Sequence, residues 1–202
     1  MVDVAIFDYG AGNIFSLKTS LEKNGANVDV IKSFDQSKNY DGLLLPGVGN
    51  FDPAIRSIRD YTAMQFKDFV QDKIPVLGIC LGMEMFFAKS EEGKEKGLDV
   101  LGGEVVLLPN DMKIPHMGWN SLEITKESKI LEGVDNDAWV YFVHSYRAKP
   151  DNNDIIVANA DYGIKVPAVV EDKLFFGTQF HPEKSGKVGS LMIKNFLRVC
   201  KK

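Results

Sequence analysis

Gly78-Ile79-Cys80-Leu81-Gly82 places a cysteine between two glycines where an apolar run, 75–79, gives way to a helical one, 81–89. A strand that turns directly into a helix forces the corner residue into a strained backbone, and flanking glycines relieve the crowding; this is the cysteine form of a nucleophile elbow. The sulfur is then left at a helix N-terminus, where the dipole favours a thiolate. The alternative is a buried cysteine between turn glycines, and a second motif decides between them. A nucleophilic thiol needs a base that a third group orients. The chain has three histidines, His116, His144 and His181. His181 follows the apolar run 174–180, with Pro182 ending it and Glu183 two residues on. The rigid proline can hold the carboxylate against one imidazole nitrogen, leaving the other to face the thiol. A loop histidine beside a surface glutamate is the ordinary reading of such a pair, and the cysteine elbow reverses it. The third piece, Pro46-Gly47-Val48-Gly49-Asn50-Phe51, follows the run Leu43-Leu44-Leu45. No Lys-Ser or Lys-Thr pair follows, so a phosphate loop is rejected. Backbone N–H groups near Val48 or Gly49, with that of Leu81, instead suit an oxyanion hole for acyl transfer.

These pieces need strand ends that converge. Strands are expected at 2–7, 28–31, 42–45 and 75–79, the third uniformly apolar and so covered on both faces. Between them fall a helix capped by Asn13 with Ile14, Leu17 and Leu21 on its apolar face, and one begun by Asp52-Pro53 and running to about 72, with a break near 61–62. This alternation signals an α/β sheet with parallel central strands and its site at their carboxyl ends. Strands at 100–108, 117–124, 139–145, 155–160, 166–171 and 174–180 are expected as antiparallel additions, before a closing helix over 187–199. The fold class is α/β: a three-layer sandwich with an open, mixed, mostly parallel sheet flanked by helices, in a single domain over 1–202.

Composition agrees. The chain has 202 residues, 45% hydrophobic and 26% charged, with a formal net charge of −4. That suits one packed domain and carries no footprint for nucleic acid or an anionic membrane. Two cysteines, Cys80 and Cys200, make no disulfide framework, which points to a reducing, cytoplasmic setting. No signal-like start, no membrane span and no metal-ligand spacing are visible, and no cofactor is expected.

Taken together, the segments around Cys80, Gly47 to Phe51 and His181-Pro182-Glu183 resemble the class I glutamine amidotransferase family over nearly the whole chain. Asp8-Tyr9-Gly10-Ala11-Gly12-Asn13, Ile114-Pro115-His116-Met117-Gly118-Trp119-Asn120 and Tyr141-Phe142-Val143-His144-Ser145-Tyr146 resemble the branch of glutaminases serving imidazole glycerol phosphate synthesis. The resemblance implies a Cys80–His181–Glu183 triad and an oxyanion hole at Val48, Gly49 and Leu81. It implies that Gly49, Glu84, Glu92, Ser145 and Tyr146 hold glutamine. It also implies a separate (β/α)8-barrel cyclase subunit as partner, in a heterodimer that receives the ammonia. Glu84 stands where that family usually has glutamine.

Asn13, His116, Trp119, Tyr141 and Lys184 are the candidates for the partner face. For His116 and Trp119 a core role is the alternative; His144 reads as structural, and Cys200 as a small apolar helix residue or an idle thiol. Competing functions are a glutaminase feeding another synthase, such as pyridoxal phosphate synthase, a redox-stress protein using Cys80 as a peroxide sensor, and an interaction subunit with a dead triad.

Overall fold

The computed structural model describes residues 1–10, 13–33, 39–62, 66 and 73–201. In chain order the elements are β1 (Val2–Phe7), α1 (Ile14–Lys23), β2 (Ala26–Ile31), β3 (Gly42–Leu45), α2 (Phe51–Thr62), β4 (Val76–Ile79), α3 (Leu81–Glu84), β5 (Lys89–Ser90), β6 (Glu104–Leu107), β7 (His116–Ser121), β8 (Glu123–Ile124), β9 (Trp139–His144), β10 (Tyr146–Lys149), β11 (Ile156–Asp161), β12 (Lys165–Asp172), β13 (Phe175–Thr178) and α4 (Gly186–Cys200).

The central sheet has eight strands in the order β2-β1-β3-β4-β13-β12-β11-β8. From β2 to β13 neighbouring strands run parallel, and β12, β11 and β8 continue antiparallel. Side-chain alternation along β1 builds the layers on either face. Val4 and Ile6 pack with Leu17 and Leu21 of α1 and Met192, Ile193 and Phe196 of α4. Ala5 and Phe7 pack on the opposite face with Phe51, Ala54, Ile55 and Ile58 of α2. All four residues of β3 are buried, as its uniformly apolar sequence requires.

Five expectations are corrected. The strand over 174–180, expected as an antiparallel addition, joins β4 in parallel as β13. Asn13 adopts a left-handed conformation and makes no side-chain cap bond. Asp52 lies inside α2, and its carboxylate accepts the N–H groups of Lys94 and Glu95, tying the loop after β5 to the helix instead of capping it. The expected helix over 81–89 stops at Glu84. Met83, Met85, Phe86 and Phe87 beyond the elbow are all wholly buried, so this run has no solvent face to give it a helical period. The segment instead turns into β5. Not all the later strands join the main sheet: β10, β6 and β5 form one small sheet, and β7 with β9 another. The expected end of the second helix, over 63–72, lies largely outside the described residues.

Candidate active site

Cys80 stands at φ 48°, ψ −106°, between the end of β4 and the start of α3. Few L residues occupy that region, and the neighbours must make room for it. A Cβ on Gly78 would lie 2.6 Å from the Gly82 carbonyl oxygen, and one on Gly82 would lie 2.0 Å from that of Leu45. Only glycine permits strand and helix to close this tightly, so the two glycines build the elbow that presents the sulfur.

The thiol donates toward the Val143 carbonyl at 3.8 Å, and the Gln179 amide donates toward the sulfur at 3.8 Å. Burial pushes this thiol well above its usual range; the charge of Glu84 raises it further, while the Leu81 N–H and the Gln179 amide pull it down. Burial thus works against the dipole-stabilised thiolate expected from sequence. A helix of four residues supplies too little dipole to offset desolvation.

His181 is wholly enclosed. Its N–H bonds to the Tyr141 carbonyl at 2.9 Å, and its own carbonyl accepts from Ser185 Oγ at 2.7 Å. Nδ1 lies 2.9 Å from Glu183 Oε1, the same oxygen that accepts from Asn13 Nδ2 at 3.2 Å. Nε2 is buried without a hydrogen-bond partner. A neutral ring whose Nδ1–H donates a hydrogen bond to Glu183 keeps a lone pair on Nε2, which is what a general base requires.

Cys80 and His181 line one cavity of about 310 Å3. The volume suits a small ligand of amino-acid size. The same cavity gathers Val48, Gly49 and Leu81, the expected oxyanion residues, and Glu84, Glu92, Ser145 and Tyr146, the expected substrate contacts. Gly49 takes φ 139°, a conformation open to glycine. Glu92 Oε2 accepts the Phe51 N–H at the start of α2, and partial burial raises its carboxyl. Glu84 is buried, and desolvation lifts its carboxyl to about 7. A larger hollow, about 820 Å3, lies along the segment from Ile124 to Val134 and holds none of these groups.

Beside the cavity runs a chain of neutral imidazoles. His144 Nδ1 donates to the Tyr146 carbonyl (2.7 Å), which leaves Nε2 to accept from His116 Nδ1 (2.9 Å). His116 Nε2 in turn accepts from Asn120 Nδ2 (3.3 Å). Burial lowers His116 to about 4 and His144 to about 3. Every ring nitrogen is satisfied without charge, so both histidines are structural, and His116 is corrected from a surface contact to a core residue. Asn13, half-buried, donates its amide to Glu183 Oε1.

Trp119 keeps 52% of its surface exposed and meets Tyr141 edge-on, with the Lys184 ammonium 5.9 Å from the centre of the Tyr141 ring. Its core alternative fails. Met117 and Trp139, also exposed, share this outward face and were missed from sequence. Period-two alternation on β7 and β9 would have found them. Gln179 and Ser185 were missed as well; a glutamine inside an apolar strand two residues before the histidine was the available signal. Cys200 is buried, and burial pushes its thiol up to about 12. Among the described residues no cluster of three or more metal-ligating side chains occurs, and no helix is long and apolar enough to cross a membrane.

Comparison with known proteins agrees with this geometry. Residues 5–200 match the family model described as glutamine amidotransferase class-I. The imidazole glycerol phosphate synthase subunit HisH of Archaeoglobus fulgidus is 43% identical over 202 residues, covering 98% of this chain and 100% of that relative. The HisH subunit of Caldanaerobacter subterraneus subsp. tengcongensis is 44% identical over 200 residues, 98% of either chain. That of Methanocaldococcus jannaschii is 41% identical over 197 residues, covering 97% and 99%. Among solved structures, a glutamine amidotransferase and PurLQS from Thermotoga maritima each superpose with a TM-score of 0.79 at 16% identity, covering 98% of this chain and 99% of theirs. At that identity the likeness speaks to the fold alone, while the family model and the full-length relatives speak to descent: the chain belongs to the class I glutamine amidotransferases, in the branch of the imidazole glycerol phosphate synthase HisH subunits.

Proposed function

We propose that this chain hydrolyses glutamine to glutamate and ammonia and passes the ammonia to a (β/α)8-barrel cyclase subunit. The cyclase uses it to make imidazole glycerol phosphate and an aminoimidazole carboxamide ribotide in histidine biosynthesis. The observation that carries this reading is the pairing of His181 Nδ1 with Glu183 while the ring shares a cavity with the Cys80 thiol. His181 Nε2 takes the thiol proton as sulfur attacks the side-chain carbonyl carbon of glutamine. The oxyanion that forms is met by the Leu81 N–H and one near Val48 or Gly49. His181 then protonates the departing ammonia and next activates water against the γ-glutamyl thioester, freeing glutamate and the thiol. Glu183, steadied by Asn13, keeps the ring in one tautomer. Glu92, Ser145 and Tyr146 hold the amino-acid end of the substrate.

Trp119, Tyr141 and Lys184, with Met117 and Trp139, form the docking face for the cyclase, an exposed apolar and aromatic patch of the kind that carries interface energy. The setting is cytoplasmic and the chain acts as one domain. Relatives of 41–44% identity that share the HisH name favour this reading over a glutaminase for pyridoxal phosphate synthase. The oriented His181–Glu183 pair favours it over a peroxide sensor.

The test is a split phenotype. In the assembled complex, Cys80→Ala should abolish synthesis from glutamine, since the acyl acceptor is gone. Synthesis from added ammonium salt should persist, since cyclisation belongs to the partner. Loss of both activities in a folded, assembled complex overturns this division of labour.

A further inference from the structure

Glu84 has no role in the reaction outlined above, yet it is 4% exposed, sits four residues past the nucleophile on the same side of the turn, and lines the same cavity. One amide joins the two. Gln179 Nε2 lies 3.0 Å from Glu84 Oε1 and 3.8 Å from Cys80 Sγ, so its two hydrogens serve both groups. Gln179 is itself fully buried and its Oε1 has no partner, so no outside group draws the amide away. We propose that Glu84 is a positioning residue that restrains the nucleophile: ionised, it keeps the Cys80 thiol protonated through the shared amide and its own charge, and protonated, it releases it. The inference rests on Cys80 being the nucleophile of the proposed function.

The surroundings leave the two acids to compete. The groups that face them are Tyr9 beyond β1, Glu92 in the loop after β5, Tyr146 on β10 and, on the side of Cys80, Glu183 with the imidazoles of His144 and His181 that line the same cavity. Apart from the two imidazoles, all are acids or phenols. Among the described residues no lysine or arginine bonds to Glu84. With no lysine or arginine beside them, two adjacent buried anions oppose each other's formation, and the pair titrates as a unit. Desolvation places the Glu84 step at about 7, so the restraint changes within the neutral range. When Glu84 ionises, the amide bonds more strongly to a carboxylate than to a thiol, and the sulfur loses a donor as it gains a like-charged neighbour.

The thiol itself reports this. The full-length chain is treated with iodoacetamide from pH 5.5 to 8.5, the thiolate displacing iodide from the methylene carbon, and modification of Cys80 is read by peptide mass spectrometry apart from Cys200. For an isolated thiol below its pKa the rate rises tenfold per pH unit. Here the wild type should rise less than tenfold per unit between pH 6 and 8, as ionisation of Glu84 works against that of Cys80. Glu84→Gln, checked for folding by near-ultraviolet circular dichroism, should restore the tenfold slope. It should also react faster at pH 8, about three- to fourfold for each unit by which its thiol pKa falls, since nucleophilicity drops partly in step. A full tenfold slope in the wild type, or a folded Glu84→Gln chain whose profile superimposes on it, overturns the proposal. If that variant does not fold, Glu84→Met, which removes the same charge, takes its place with the same expected outcome. The assay needs no glutamine: a flattened profile in a chain that fails to hydrolyse glutamine refutes the proposed function and not this inference, and the reverse result refutes this inference only.

Discussion

Acidification should cost this fold stability through the buried imidazole relay, and one substitution isolates the cost. His116 has an ordinary pKa of 6.5 that burial lowers to about 4 in the folded chain. A depressed folded pKa gives stability that is present above 6.5 and lost as pH falls toward 4, because the unfolded state takes up the proton first. At pH 5 the unfolded chain is about 1.5 pH units below its pKa and the folded chain is still neutral, which is worth about 2 kcal/mol. A pH scan of the wild type does not isolate this, because Glu84 works in the opposite sense. Its folded pKa is raised from 4.5 to about 7, so its contribution is present in acid and lost as pH rises through 7. His116→Asn separates them: asparagine places an amide N–H near the Nδ1 position, keeps a donor to His144, and cannot titrate. Urea unfolding of both chains at pH 7 and pH 5 gives the assay. The variant is less stable at pH 7, having lost its stacking between Phe142 and Tyr162. Its deficit should shrink by about 2 kcal/mol at pH 5. An equal deficit at both pH values, or a His116 ring proton that titrates near 6.5 by NMR, refutes the neutral relay.

Three further outcomes are expected. Trp119→Ala should weaken assembly with the cyclase by about 2 kcal/mol or more, read by isothermal titration, while the free chain keeps its melting temperature, because the ring is half exposed; a large drop in melting temperature would make Trp119 structural. Gly82→Ala should reduce glutamine hydrolysis at least ~100-fold, since the added Cβ would press within 2.0 Å of the Leu45 carbonyl and displace the elbow and the Leu81 oxyanion donor; near-normal turnover would show that the elbow tolerates a shift. Glutamine hydrolysis should rise when ligand fills the cyclase site, through one peptide near Val48 and Gly49 that turns into the oxyanion position and is worth ~10²–10³ in rate; equal turnover in the free chain and the liganded complex would exclude that switch.

Legibility from sequence followed how much each residue depends on distant partners. The elbow is local: a strand, one strained residue and two glycines within five positions specify it, and Cys80 sits as its neighbours dictate. The His181–Glu183 pair is nearly as local, set by the proline between. β1, β3 and β4 were legible because buried parallel strands read as short apolar runs. The run after Cys80 was not, because wholly buried residues carry no period that separates helix from turn. Asp52 looked like a helix cap because asparagine, serine and aspartate share that chemistry, yet its carboxylate binds N–H groups some forty residues on, a contact no local pattern encodes. The same holds for the thiol. Sequence put the sulfur at a helix N-terminus and inferred a thiolate, but its protonation is set by burial, by Glu84 and by an amide ninety-nine residues away in the chain. His116 shows the converse limit. Its alternation on β7 with exposed Met117 and Trp119 already placed it on the other face of the strand, so the pattern that marks the exposed aromatic face also excludes His116 from it.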